Sequence, residues 1–263
     1  MHAVRAIAAL GVLTTLVAYV LSARIVEQST AGTIKSILSL KEARALLGDG
    51  VVGKRLPSTP VPDTRTLLPN KPGTWTYNVV SGKDSGKTRT KVLQRATDPD
   101  HPNLWQRHDP GNRVFSMEVT DQSTTVSSLA VHAHNLLIEY LSGEPLLKKG
   151  MKPGETIGHR TDVKAVKLSS PSHTRSTGFL EISVTYMGRM KVKTPAGTFD
   201  AYLVRRDFKS EVSPVKQTDT IYTFYAENVG IVALVSHLDV HAAFIYHQDT
   251  RTAMVLASPP EFQ

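Results

Sequence analysis

The chain has 263 residues, of which 40% are hydrophobic and 21% charged, an ordinary globular composition that excludes extensive disorder. It contains no cysteine, which excludes a disulfide framework, a thiol nucleophile, a cysteine-ligated metal and a lipidated cysteine after a signal segment. The net charge of +8 comes from small basic groups rather than one long run, so it predicts a solvated strand face, or attraction to anionic envelope surfaces, and no nucleic-acid partner.

An apolar segment near the N-terminus predicts export. Arg5 precedes an uncharged run, residues 6–21, whose length lies between that of a signal-peptide core and that of a membrane span. Leu21 stands where cleavage after Ala23 needs a small residue, which favours an uncleaved membrane anchor over a cleaved signal peptide in residues 1–23. The rest of the chain is then expected in the periplasm, tethered to the inner membrane through its anchor, or secreted if the segment is cleaved.

Residues 24–67 are predicted to connect this segment to a folded domain. Apolar residues at helical spacing, ending at Gly48, predict a short amphipathic helix. Three prolines without hydrophobic periodicity then predict a tether. The periplasmic domain is therefore expected to span residues 68–258.

Two-residue alternation predicts that this domain consists of β-strands. In the stretch EISVTYMGRMKVKT, every even position from Ile182 to Val192 is apolar or glycine, while the other face is basic. Pro195 and Gly197 follow, and this Pro-Ala-Gly corner predicts a chain reversal without a group that could act as acid, base or nucleophile. Because no βαβ pattern or glycine-rich phosphate loop interrupts the alternation, a long, strongly curved antiparallel sheet is expected.

Four stretches resemble uncharacterised bacterial periplasmic domains of the TapB-like type: PGTWTY, EPLLKKGMKPGE, VKTPAGTFDAYLV and FYAENVGIVAL. The resemblance covers residues 68–257 and departs from the family at AENVG and at the non-lipidated anchor. It implies a β-domain similar to lipoprotein carriers, in which a bent sheet forms an open half-barrel around an apolar cavity. The expected fold is therefore an all-β open half-barrel preceded by an N-terminal membrane helix and a short amphipathic helix, and the family supplies no established catalytic residues.

Residue spacing predicts neither an enzyme nor a cofactor. Ser213 and Lys216 have Ser-x-x-Lys spacing, but Pro214 between two strands predicts a loop rather than the helix which that motif requires. The loop DPDHPNLWQRHDPGN gathers aspartates and histidines, and its Asp-Pro and Pro-Asn pairs favour turns over metal ligands.

Two pairs of histidines leave one question open. His132 and His134 lie two residues apart, and His237 and His241 lie four apart, so each pair would share a strand face, as a metal site needs. The spacing matches no conventional zinc motif, so no metal site is predicted and roles in the core or on the sheet surface are favoured. Whether these four residues bind metal is left undecided at this point.

Two functions of different classes fit the sequence. The first is a non-catalytic envelope protein that binds a lipid, an acyl chain or an envelope polymer on the concave face of its sheet. The residues proposed to bind this ligand could instead simply form the hydrophobic core. These residues are Trp75, Tyr77, Val184, Tyr186, Met190, Val192, Leu203 and Tyr225. The second is a structural or assembly protein that docks an envelope protein partner through its basic face or a sheet edge. A hydrolase that uses the histidines ranks third.

Overall fold

The computed structural model describes residues 34–98, 100–242 and 246–263. The run at residues 6–21, predicted to be a signal peptide or membrane anchor, lies outside the described residues. Within those residues, the structure has no helix with the length and hydropathy of a membrane span.

The described residues form two short helices and fourteen strands. The helices are α1 (Leu40–Leu47) and α2 (Thr64–Leu67), and a 3-10 turn spans His132–His134. The strands in chain order are β1 (Val52–Leu56), β2 (Gly73–Ser81), β3 (Thr88–Arg95), β4 (Leu104–Asp109), β5 (Arg113–Val119), β6 (Ser123–Val131), β7 (Leu136–Lys148), β8 (Thr156–Lys167), β9 (Ser170–Thr194), β10 (Gly197–Val212), β11 (Val215–Ala226), β12 (Gly230–Ala242), β13 (Tyr246–Leu256) and β14 (Glu261–Phe262).

Twelve strands of the described chain close into an antiparallel barrel. Their order around the ring is β2 to β13 in sequence, and β13 pairs back onto β2. The consecutive strands β8 and β9 pair from Thr156 opposite Thr185 to Lys167 opposite Ser170, with register shifts on either side of Val166. β1 extends the sheet beside the far part of β9, and β14 pairs with the start of β2.

The prediction of an open half-barrel is wrong, whereas the all-β class is confirmed. Closure pairs the backbone groups that two open edges would leave without partners, and it removes the edges themselves. The β13–β2 pairing provides this closure, because it joins the last strand of the ring to the first. β9, with 25 residues, pairs with β10 on one side and with both β8 and β1 on the other. Hydrophobic alternation reports which face of a strand is buried and gives no information on which strands pair, so it could not show this seam.

A β-bulge in β9 changes which face its apolar residues occupy. Tyr186 lies opposite Val204, whereas Gly188 lies opposite Leu203, so Met187 is the extra residue. Even-numbered residues before the bulge therefore face the barrel interior, and even-numbered residues after it face outward. The single apolar face predicted from Ile182 to Val192 is thus divided between the two sides of the sheet.

The chain reversal predicted at the Pro-Ala-Gly corner is confirmed. Pro195 and Ala196 form the turn between β9 and β10, and Gly197 lies opposite Thr194. Gly197 has φ +139°, in the region that favours glycine.

Residues 34–47 cover the outer face of strands β11 to β13. Ser39 caps α1 in a capping box with Glu42, and the helix ends at Gly48, where the sequence predicts its end. Tyr222, on the outer face of β11, donates its hydroxyl hydrogen bond to the carbonyl of Leu38 over 2.9 Å. Ala43 and Leu47 are buried in the same hydrophobic cluster.

Residues 57–68, here called the plug segment, cross one end of the barrel. Backbone hydrogen bonds tie Val61 to Met151, Thr64 to Asp121 and Thr66 to Asn228. These three partners lie in the turns that follow β7, β5 and β11, all at the same end of the barrel. The stretch predicted to be a tether therefore contains β1 and most of the plug segment, including α2, and it packs on the barrel. The start of the domain at residue 68 stays a prediction.

Candidate ligand cavity

The barrel interior contains a cavity of about 1140 Å³ that is partly open. It extends from Leu68 in the plug segment to Pro110 and Gly111 in the β4–β5 turn, at the opposite end of the barrel. Small-molecule sites in proteins usually measure about 300–1,000 Å³, so this cavity is large enough for an organic ligand of considerable size.

One side of the cavity is hydrophobic. Its side chains come from β6 to β10 and from β12, and they point inward at every second residue. This apolar wall consists of Leu129, Ile138, Val163, Ala165, Leu180, Phe208, Val212 and Leu238. A hydrocarbon chain that covered it would be removed from water at a gain of about 25 cal/mol per Å² of apolar surface.

The facing side carries a cluster of cations from β3, β4, β5 and the β2–β3 turn. This basic wall consists of Lys83, Lys87, Arg89, Lys91, Arg107 and Arg113, with the carboxylates of Asp84 and Asp109 among them. Each carboxylate is shared. Asp84 binds Lys87 at 2.8 Å and Arg89 at 2.7 Å, and Asp109 binds Arg107 at 2.7 Å and Lys91 at 3.2 Å. Two anions thus serve four cations, and the wall has a surplus of positive charge.

Burial at the basic wall changes the ionisation of its residues. Desolvation lowers the pKa of Lys91 to about 8, and the neighbouring Asp109 opposes that shift. Desolvation also acts to raise the pKa of Asp109, but Arg107 and Lys91 outweigh it and hold that pKa at about 2. The carboxylate is therefore ionised at neutral pH, and Lys91 is mostly protonated there.

A second polar cluster lies inside the barrel on β7, β10 and β11. Arg206 Nη1 binds Glu144 Oε1 at 2.5 Å, and both residues line the cavity. Asp219 lies nearby on the interior side of β11 and is almost fully buried. Desolvation raises the pKa of Asp219 well above its ordinary value, against the opposing effect of Arg206.

We expect Asp219→Asn to stabilise the protein increasingly as pH rises. A carboxyl whose pKa is raised by folding binds more protons in the native state, so the wild type loses stability as pH rises above the unfolded pKa near 3.8. Asparagine does not titrate, so the variant's advantage should grow at about 1.4 kcal/mol per pH unit until the folded pKa is reached. Urea unfolding at pH 5, 6, 7 and 8 measures this; a constant difference between the two proteins would contradict it.

The eight residues predicted to bind a ligand are all buried, but they do not form one surface. Five lie on the interior side of the barrel: Trp75, Tyr77, Val184, Tyr186 and Tyr225, of which only Tyr225 lines the cavity. The other three, Met190, Val192 and Leu203, lie on the outer side, because the bulge at Met187 precedes the first two and Leu203 is paired with Gly188. Their role in ligand binding stays a prediction.

The interior aromatic residues close the plugged end of the barrel. Trp75 Nε1 donates to the carbonyl of Val229 at 2.7 Å, and the Tyr77 hydroxyl donates to the carbonyl of Ile231 at 3.0 Å. The Tyr186 hydroxyl donates to the carbonyl of Thr59 in the plug segment at 2.9 Å. These side chains form the base beneath the cavity rather than its walls.

The histidine pairs occupy different settings. His132 and His134 lie in the 3-10 turn between β6 and β7 rather than on a strand face. His237 and His241 both face outward on β12, where His237 contacts the carbonyl of Ile37 at 3.0 Å and Asp249 at 3.1 Å.

Comparison with known proteins gives distant similarity. Residues 150–234 match a family model described as DUF3108-like, which covers less than half of the chain. No curated protein matches the chain.

Among solved structures, the chain is similar to a candidate lipoprotein of Parabacteroides distasonis, with 14% identity, a TM-score of 0.40, and coverage of 75% of this chain and 96% of that one. An exported protein with a YmcC-like fold from Bacteroides fragilis gives 14% identity, a TM-score of 0.40, and coverage of 77% and 99%. The hypothetical lipoprotein YmcC of Escherichia coli gives 12% identity, a TM-score of 0.37, and coverage of 86% and 100%. All three similarities are distant.

Proposed function

We propose that the protein is a non-catalytic envelope protein that holds an amphipathic anionic ligand inside its barrel. The ligand is an acyl chain that ends in a carboxylate or a phosphate, as in a fatty acid or an anionic lipid. The observation that supports this proposal is one cavity with an apolar wall on one side and a basic wall on the other.

The two walls match the two parts of such a ligand. The hydrocarbon chain lies against the apolar wall, where its burial supplies most of the binding free energy. The head group lies against the basic wall and accepts charge-assisted hydrogen bonds from Arg89 or from Lys91, whose carboxylate partners are already shared. Because Lys87, Arg89, Lys91 and Arg107 share only two carboxylates, an anionic head group is attracted to them more strongly than a neutral one.

An envelope location is part of this proposal. The apolar run at residues 6–21 would direct the chain out of the cytoplasm and hold it at the inner membrane, or release it if cleaved. A cysteine-free chain keeps no thiol exposed to the oxidising conditions there.

The docking function is less favoured by the geometry. Ring closure leaves two short strands, β1 and β14, at edges of the sheet in the described chain, and β13 pairs with β2 only over Ala253–Leu256. On the basic face predicted for β9, Arg189 and Lys191 both contact Asp200, which reduces the charge available to a partner.

The proposal is tested by titrating the full chain with a dansyl-labelled undecanoic acid and with the alcohol of the same length. We expect the acid to bind roughly 10-fold more tightly, because one hydrogen bond to a charged group contributes about 1.5 kcal/mol. We expect Arg89→Gln to remove most of that difference in affinity, because it removes a charged donor to the head group. The variant should still fold, since Asp84 keeps Lys87 as its partner.

Lys193→Gln is the matched control, because it also removes one positive charge, and Lys193 is an exposed residue near the end of β9 that does not line the cavity. Its affinity for the acid should equal that of the wild type. Equal binding of acid and alcohol by the wild type would refute the anionic head group, and no binding of either would refute the carrier and leave the docking function.

A further inference from the structure

The outer face of the β12–β13 hairpin carries an unusual run of residues with metal-binding side chains. His237, Asp239 and His241 occupy successive outward positions on β12, and His247 and Asp249 occupy outward positions on β13. Any polar side chain keeps a strand face soluble, so solubility alone does not explain why three histidines and two aspartates lie together in this patch.

Three of these residues converge on one point. His241 lies directly opposite His247 in the register, and their rings stack with centroids 4.3 Å apart and planes 15° apart. Asp239 Oδ1 lies 3.1 Å from His241 Nε2 and 2.8 Å from His247 Nε2. One ligand atom from each residue lies within 4.8 Å of the other two.

We propose that Asp239, His241 and His247 bind a divalent transition-metal ion, with Zn²⁺ the best match. Imidazole nitrogen and carboxylate oxygen are ordinary zinc ligands at about 2.0–2.2 Å, and atoms that share one tetrahedral ion at that distance lie about 3.3–3.6 Å apart. The distance from Asp239 Oδ1 must increase by about 0.2–0.5 Å to His241 Nε2 and by about 0.5–0.8 Å to His247 Nε2. Rotation of the two exposed imidazoles out of their stacked arrangement allows both changes. Three protein ligands leave the fourth position to water or another donor.

Two neighbours support this arrangement. Asp249 lies directly opposite Asp239, and like charges opposite each other in an antiparallel pair repel. A bound cation would relieve that repulsion. His237 binds Asp249 at 3.1 Å and is itself fixed by the carbonyl of Ile37, so it orders the carboxylate beside the site.

The site is separate from the proposed ligand cavity. Its residues point outward from β12 and β13, whereas Leu238, Gln248 and Tyr246 of the same strands line the cavity. Because the metal joins two strands, it would stabilise this hairpin without occupying the barrel, by an amount that grows with the ion concentration.

The experiment is a calorimetric titration of the untagged full chain with Zn²⁺, with His247→Gln and His101→Gln as variants. His101 is also exposed and lies in the loop before β4, so its replacement removes one imidazole outside the site. We expect one ion per chain in the wild type and in His101→Gln, and at least a 10-fold loss of affinity in His247→Gln.

Circular dichroism shows whether the variants are folded, and Co²⁺ substitution reports the coordination directly. Asp239→Asn provides a second test that does not depend on His247. Absence of stoichiometric Zn²⁺ binding by the folded wild type, or unchanged affinity in His247→Gln, would overturn the proposal. A zinc site that survives Asp239→Asn at full affinity would also overturn the ligand set.

Discussion

Arg206→Met should lower the free energy of unfolding by about 3–5 kcal/mol, the cost of breaking a buried ion pair from one side. The guanidinium of Arg206 binds Glu144 inside the barrel, and little of either side chain is exposed. Removing the cation leaves the Glu144 carboxylate without its charged partner, close to Asp219. Denaturant unfolding of the variant and the wild type at pH 7 measures the loss.

The double variant Glu144→Gln/Arg206→Met separates this cause from lost packing. Replacing both members of a buried pair with neutral side chains of similar size is close to neutral, so most of the loss should be recovered. Lys209→Met, which removes a cation from a solvent-exposed pair with Glu211, should change stability by less than about 1 kcal/mol. A double variant as unstable as the single one would show that the charge of Glu144 is not the cause.

Gly82→Ala should destabilise the protein much more than Gly86→Ala, although both glycines lie in the β2–β3 turn with positive φ. Gly82 has φ +99° and Gly86 has φ +86°, so alanine strains the backbone similarly at both, at about 1 kcal/mol. A Cβ on Gly82 would lie 2.3 Å from the carbonyl oxygen of Arg251, whereas one on Gly86 would have no neighbour within 4 Å.

The difference between the two variants isolates the contact between strands. The Arg251 carbonyl belongs to the backbone of β13, so relieving the clash must move the β13–β2 seam, and we expect Gly82→Ala to cost roughly 3 kcal/mol or more. Thermal or urea unfolding of both variants provides the comparison. Equal losses would mean that the two strands do not approach as closely as the structure shows.

Local pattern predicts the strands of this fold but not their assembly. The alternation that predicts the strand β9 and the glycine that predicts the turn after it are properties of a few neighbouring residues, and the strand and the turn are both confirmed. Closure depends on β13 meeting β2, the last and first strands of the ring, and no local pattern records that pairing. Met187 shows the same limit, because a bulge is set by the register with β10.

The basic wall is the part of the candidate site that the sequence interpretation missed, although a signal was present. Lys91 is in phase with Leu93, and Arg107 is in phase with Trp105, so each charge shares a face with a buried residue. If the inner face of each strand is assumed to be purely apolar, Lys91 and Arg107 are assigned to the outer, solvent-exposed face. The assumption fails here because the barrel is wide enough to hold a cavity whose inner face need not be apolar.

Photocrosslinking with a fatty acid that carries a diazirine in its chain tests the proposed function most directly. The full chain is irradiated with this probe, and labelled positions are mapped by peptide mass spectrometry, with an unlabelled fatty acid as competitor. We predict competable labels on residues of the apolar wall in β8 and β10, such as Ala165 and Phe208, which point into the cavity. Labels confined to the outer face of the barrel, or labelling that the competitor does not reduce, would contradict the proposal that the barrel interior holds the ligand.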